Sequence, residues 1–267
     1  MTEGRGVVVD QDIAKRARAH LIRLELFREL LARMYRESIV QYEFSVRLAL
    51  LFGSVLKVRQ AGLSVKVLAE QMCVEEIVTI GRTIVEVVVN AAYLQYAEDI
   101  EIDRYLQFDK EFISRQNEFL QLQSGTRPVP GIVQKLKANA LRVSMKIMPK
   151  DDDPRWSTQS IAQRAAFADK VSESPIMALL VKTLHARGHS ASHGTFQSMT
   201  PFISALETMV VAETDDRFDE LAEALFGVNL SLMTLCLYLN NFLNLDLDEA
   251  IHHAARASAD DRGSHIH

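Results

Sequence analysis

Between residues 10 and 60 the chain carries one glycine, Gly53, and no proline, which leaves that stretch little choice but a helix. Ile13, Leu21, Leu24, Leu26, Leu30, Leu31 and Met34 recur there at helical spacing among arginines and glutamates. The pattern predicts one long amphipathic helix. A second apolar series, from Ile39 through Phe44, Val46, Leu48, Leu50, Leu51 and Val55 to Leu56, carries it on to Ala61 and Gly62. Gly62 is then expected in the left-handed position that closes a helix, with Ser64 opening the next. The whole chain holds 11 glycines and 6 prolines in 267 residues, which argues against a fold of many tight hairpins.

The run from Thr83 to Val89 is rich in β-branched residues and has the composition of a strand. Its surroundings decide otherwise. Ile77, Ile80, Ile84, Val88, Ala91 and Leu94 keep three- or four-residue spacing across the window, and no turn residue brackets the valines, so a helix is expected. Further helices are expected over residues 99–123 and 132–148, separated by the Pro- and Gly-rich loop at 124–131. A polar connector at 149–154 leads to Ser157 or Thr158 as an N-cap. Pro175 sits where a first-turn proline belongs, starting a helix that runs into 185–193. The last long helix is expected from Asp215 or Asp216 to about Asn244. The prediction is an all-α, single helical bundle of about seven to nine helices over residues 10–256, flanked by disordered tails at 1–9 and 257–267.

Residues 227–245 contain no charge and are almost long enough to span a bilayer. Asn229, Ser231, Thr234, Asn240, Asn241 and Asn244 oppose that reading, because lipid penalises such groups while a bundle core can bond them. A soluble core helix is expected, with no membrane partner. Residues 1–10 show no apolar leader, so the expected compartment is the cytoplasm. Two cysteines, Cys73 and Cys236, make neither a disulfide scaffold nor a zinc site by themselves, and apolar neighbours suggest buried, inert thiols. The lone tryptophan, Trp156, is expected to close one end of the bundle. A net charge of −5 excludes a uniformly basic surface for nucleic acid but leaves room for a local patch.

Two patterns carry polar chemistry. Arg82, Glu86 and Asn90 follow one another at i, i+4, i+8 along a single line of an otherwise apolar helix. Such a line either pins neighbouring helices through a buried network or walls a pocket with Glu86 as acid, base or ligand. His185, His189 and His193 are also four residues apart in turn, and His185 with His189 has the spacing of a two-histidine metal clamp, Glu86 being the carboxylate that could complete it.

The same segment contains Arg187 and His193 in an Arg-x5-His spacing. This resembles the Arg-x4-6-His motif of the HEPN superfamily, all-helical proteins many of which are metal-independent ribonucleases of toxin-antitoxin and antiviral systems. The resemblance implies that His193 moves the proton of a 2′-hydroxyl or a leaving 5′-oxygen while Arg187 stabilises the phosphorane. Gly188, after the arginine, departs from the polar residue common there.

A wider resemblance runs over roughly residues 40–240. Its pieces are Gly81-Arg82-Thr83-Ile84-Val85-Glu86, Tyr93-Leu94, Arg104-Tyr105-Leu106-Gln107-Phe108, Arg155-Trp156-Ser157 and His193-Gly194-Thr195. In this order they resemble an uncharacterised bacterial family, the one numbered fifty-six seventy-seven among the domains of unknown function. Arg82 and Glu86 match its Arg-x3-Glu, and His193 its histidine near a helix end, while His189 stands where a serine is expected. The resemblance implies a helical fold and polar residues that meet. The functional expectation is a HEPN-like bacterial protein that cleaves or binds RNA in defence or stress response, with Arg187 and His193 as the working pair. Arg82, Glu86, Asn90 and His189 would support that pair, with no cofactor and with a homodimer as the expected assembly. The rivals are a non-catalytic interaction protein with a protein partner, whose polar line is architectural, and a metal-dependent hydrolase using Glu86 with His185, His189 or His193.

Overall fold

The structure, a computed structural model, describes residues 11–42, 45–106, 157, 159–172, 176–185 and 217–259. Its regular elements are helical, as expected. They are α1 (Gln11–Gln41), α2 (Val46–Glu70), α3 (Val74–Tyr96), a helical segment at 99–106, α4 (Ile161–Ser172), α5 (Ile176–Leu180) running into a π-helical turn (Val181–His185), α6 (Phe218–Leu243) and α7 (Asp248–Arg256).

α1 lies along α6, α2 along α3, and α3 also packs on α6, on α4 and on the π-turn, so α3 and α6 form the centre of the bundle. The apolar face predicted for α1 is the one that is buried: Leu24, Phe27, Leu31 and Met34 meet a core that includes Leu225, Leu232 and Leu235 of α6 and Ile77 and Ile84 of α3. Each such side chain contributes about 1.5 to 3 kcal/mol by leaving water. The β-branched run of α3 is helical because Ile84, Val85, Val88 and Val89 all find buried positions against its several neighbours. Tertiary burial outweighs the strand preference of valine.

The expected single helix over residues 10–60 is two helices. Ser45 caps α2 by accepting from the amide of Leu48 at 3.2 Å, and Tyr42, just past α1, donates its hydroxyl to the carbonyl of Leu243. The expected stop at Gly62 is also corrected. α2 passes straight through Gly62 to Glu70, and a Cβ there would lie 2.9 Å from Cδ of Arg28. Gly62 makes room for that arginine, which reaches the carbonyl of Arg59 while Arg59 reaches the carbonyl of Arg28. Ser64 is interior to α2 and opens nothing. The true stop is a Schellman turn in which the amide of Cys73 bonds Leu68 O at 2.9 Å and that of Met72 bonds Ala69 O at 3.2 Å. Met72 occupies the left-handed position at φ 56°, where sequence reasoning looks for glycine.

The expected caps at Ser157 or Thr158 give way to Ser160; Thr158 lies outside the described residues. The Ser160 hydroxyl accepts from the amide of Gln163 and the Gln163 side chain accepts from the amide of Ser160, a capping box. The start of α5 is held by Asp169 of α4, whose two carboxylate oxygens accept from the amides of Met177 and Ala178, both at 2.8 Å. The expected helix from Pro175 is present from Ile176, Pro175 itself lying outside the described residues.

α6 starts at Phe218 and closes on Asn244 in left-handed geometry, close to the expected bounds. Of its six expected polar groups, Asn229 reaches another helix, donating to the carbonyl of His20 at 2.8 Å. Asn240 accepts from the amide of Leu247 at 2.8 Å, while Ser231 and Thr234 bond carbonyls of their own helix, and Asn241 and Asn244 are exposed. α2, α3 and α6 are long and apolar enough to cross a membrane by length and composition, and the apolar window of α6 is 72% buried within the fold. Cys236 is fully buried in α6, whereas Cys73 sits half-buried at the α2–α3 corner. Ala257, placed in the expected tail, is buried, and its carbonyl accepts from Arg23 at 2.8 Å. The predicted loop at 124–131 and Trp156 lie outside the described residues.

Candidate functional site

The polar line of α3 meets the π-turn. Glu86 Oε1 lies 2.8 Å from Nε2 of His185 and 3.2 Å from Nε of Arg82. The two nitrogens themselves are 3.5 Å apart. A carboxylate oxygen can only accept, so both nitrogens point protons at Glu86, and their mutual approach is that of two donors sharing one acceptor. That assignment leaves Nδ1 of His185 as the ring nitrogen still able to accept or pass on a proton.

Of the two readings offered for the polar line, a fully buried network is not what forms at Glu86. Its side chain keeps 40% of its exposure, against 16% for His185 and 23% for Arg82, so the carboxylate lies at the mouth of the cluster. Its pKa is held below the ordinary 4.5, first by the hydrogen bond from His185, with partial burial opposing and the charge of Arg82 assisting.

Two groups that sequence reasoning did not assign to the site, Arg164 and Tyr93, extend the cluster. Arg164 of α4 is half-buried; burial disfavours its charged form, and Glu86, Tyr93, Tyr105 and Glu101 act against that. A guanidinium stays charged in proteins, so Arg164 brings a second fixed cation whose field acts on Glu86. Tyr93, buried on α3, donates to Oε2 of Glu101 at 3.4 Å. Its pKa is raised by burial first and then by Glu101, with Ser157 and Arg164 opposing. Tyr93 was within reach of the sequence, being three residues beyond Asn90 on the same helical line. Arg164 gave no such signal, because only the packing of α4 on α3 brings it there.

Asn90 is half-buried, and among the described residues its Oδ1 has no hydrogen-bond partner. The structure therefore brings together Arg82, Glu86 and His185 of the expected residues. Arg187, His189 and His193 lie outside the described residues. Among the described residues, His, Cys, Asp and Glu nowhere gather in a group of three that could hold a metal ion. What the described geometry offers is a carboxylate-held imidazole beside one guanidinium, with the charge of Arg164 also acting on the carboxylate, a set able to bind a phosphate oxyanion and exchange a proton beside it.

No curated protein and no solved structure gives a significant match to the chain. A family model does match, over residues 48–209, a span that includes Arg82, Glu86, Asn90, Tyr93, Arg164 and His185, and on that match the chain belongs to the Family of unknown function (DUF5677).

Proposed function

We propose that this protein binds and cleaves RNA without a metal ion, at a site built around Arg82, Glu86 and His185 and continued by Arg187 and His193. The observation that carries the reading is the 2.8 Å contact between His185 and Glu86, with Arg82 on the same oxygen. A carboxylate that fixes one ring nitrogen orients the other for proton transfer, and arginines beside it neutralise a phosphodiester. In this scheme a histidine takes the 2′-hydroxyl proton as O2′ attacks phosphorus, and the 5′-oxygen leaves with a proton from a second group. The products are a 2′,3′-cyclic phosphate and a 5′-hydroxyl end. His185 is the proposed base, held by Glu86; His193 is the proposed acid, and Arg187 joins Arg82 and Arg164 on the phosphate. A cytoplasmic homodimer acting in bacterial defence or stress response is the setting that accords with this chemistry.

A second reading has its own support. Glu86 is engaged by Arg82 and His185, and at the start of the same helix Glu75 is clasped by Arg217 of the residue run leading into α6, so α3 uses ion pairs to fasten its neighbours. On that reading the protein is a non-catalytic interaction partner. One assay separates the readings. Purified protein should cut single-stranded RNA in EDTA and leave cyclic phosphate ends, and His185→Ala and His193→Ala should each abolish cutting while circular dichroism stays unchanged. Cutting lost in EDTA would assign the metal-dependent alternative, and no cutting by the wild type would assign the interaction protein.

A further inference from the structure

α2 is apolar on more than one side, and its neighbours in the bundle account for only part of it. Leu51, Val55, Val58, Val65 and Ala69 enter the core against α1 and α3. Yet only 33% of its apolar window is buried, against 61% in α3 and 72% in α6. The side turned away from the bundle carries Gly53, Leu56, Lys57, Gln60, Leu63, Val67 and Glu70, all exposed, with Leu56 at 42%, Leu63 at 39% and Val67 at 52%. Gly53, Leu56, Gln60, Leu63 and Val67 follow one another at alternating spacings of three and four, the repeat by which one helix seats on another.

Gly53 points to a partner independently. A glycine inside a helix costs stability relative to alanine, so its presence there needs a contact to explain it. Gly62 admits Arg28 and Gly227 lies under Leu184. Among the described residues, a Cβ at Gly53 would meet no atom within 4 Å, and nothing there calls for a bare backbone. Close approach from outside the chain does.

We propose that a second copy of this chain covers the outer side of α2, the two helices lying antiparallel across a two-fold axis near Gln60 and Leu63. Charge sets the direction. Lys57 and Glu70 are the charged residues among those exposed on α2, one toward each end of the strip, while Lys66 is turned to Glu25 of α1 at 2.7 Å. Antiparallel packing brings Lys57 within a turn of the partner subunit's Glu70, twice over, whereas parallel packing sets like against like. Gln60 lies close to the axis, where an amide that both donates and accepts can bond the partner subunit's Gln60 and fix the register. A lipid surface has no use for a bare glycine, and a helix lying on one carries several cations along its polar face. The strip from 53 to 70 is about 26 Å long, a seam at the low end of specific interfaces, so a Kd of about 10 µM is expected. The proposal gives a surface to the homodimer named above. It uses no residue of the Arg82–Glu86–His185 cluster, so its failure and the failure of the ribonuclease reading are read in different assays.

The test is sedimentation equilibrium of the full-length protein without detergent, from about 1 to 100 µM. A concentration-dependent dimer is the expected result. Leu63→Glu should weaken association about 100-fold while circular dichroism and the Tm of the dilute protein stay unchanged. Lys57→Glu should weaken it about tenfold, and adding Glu70→Lys to the same chain should restore it, which a parallel pair would not show. Gly53→Ala should weaken association about tenfold yet raise the Tm of the dilute monomer, since alanine is the better helix former where no neighbour is crowded. A wild type that is monomeric throughout, or a dimer that these variants leave intact, would overturn the assignment. So would a Leu63→Glu chain that unfolds, which would give the strip to another segment of the same chain, or a protein recovered only in detergent, which would give it to lipid.

Discussion

His185 and Glu86 are 99 positions apart in the chain and 2.8 Å apart in the fold. The contact exists because α3 packs at once against α6, α4 and the π-turn, and because Leu184, the residue before His185, lies directly over Gly227 of α6. The backbone of α6 is thus the surface on which the histidine's helix is seated.

Replacing Gly227 should show that seating. A Cβ at this position would come within 2.0 Å of Cδ2 of Leu184 and 2.9 Å of its Cγ, so the whole side chain must move. Gly227→Ala is expected to destabilise the protein by about 1 to 3 kcal/mol through overpacking. It should also weaken the His185–Glu86 contact, read as a shift of the His185 ring signals in NMR. Leu184→Ala in the same chain should restore part of the loss, since the pair shares one space. Two independent, additive effects would show that the contact is not what positions the π-turn.

Removing the Glu86 carboxylate should cost less than its pairing suggests. The side chain is 40% exposed, so water screens its partners. Glu86→Gln is expected to lower stability by about 1 kcal/mol, where a fully buried pair would cost roughly 3 to 5. Because its folded pKa is depressed below 4.5, the stabilising effect is present above that value and lost as pH falls through the folded pKa. Denaturant melts of wild type and variant should therefore differ at pH 7 and converge in acid below pH 4.5. A difference that persists unchanged there would remove the ionic origin of the effect.

His20 acts over a different range. Burial first, and then the charge of Arg23, lower its pKa from 6.5 to about 4, and its ring lies edge-on to Phe226. The unfolded chain takes up the proton before the folded one does. Stability is thus full above pH 6.5, declines toward about 4 and then levels off. The partly exposed ring limits the decline to about 1 to 2 kcal/mol. His20→Gln should flatten the stability curve over that interval, measured by urea melts in half-unit steps of pH. An unchanged slope would place the acid sensitivity elsewhere.

The two thiols should react unequally. Cys236 is fully buried and burial raises its pKa far above the ordinary 9.0, while Cys73 is half-buried at a helix corner. Thiolate is the reacting form, so a disulfide reagent at pH 8 should modify Cys73 within minutes and Cys236 only after denaturant is added. Equal rates in the native protein would contradict the core position of Cys236.

Much of this was written in the local sequence. The spacing of Leu24, Leu31 and Met34, the periodicity running through the valines of α3 and the polar line Arg82, Glu86 and Asn90 are properties of single helices, and a helix fixes by its own geometry which residues share a face. Family membership also followed from residues read in order. The caps were less legible. Gly62 had the look of a stop, yet it serves a crossing arginine, and Met72 takes the left-handed position because the packed corner between α2 and α3 decides where the chain must turn. The partners of the polar line were not legible at all. Nothing within α3 says that Glu86 will meet His185 instead of being buried with Arg82 alone, or that Arg164 of α4 will join it, because helix faces are set by a repeat of a few residues while helix neighbours are set by how all the faces fill space together.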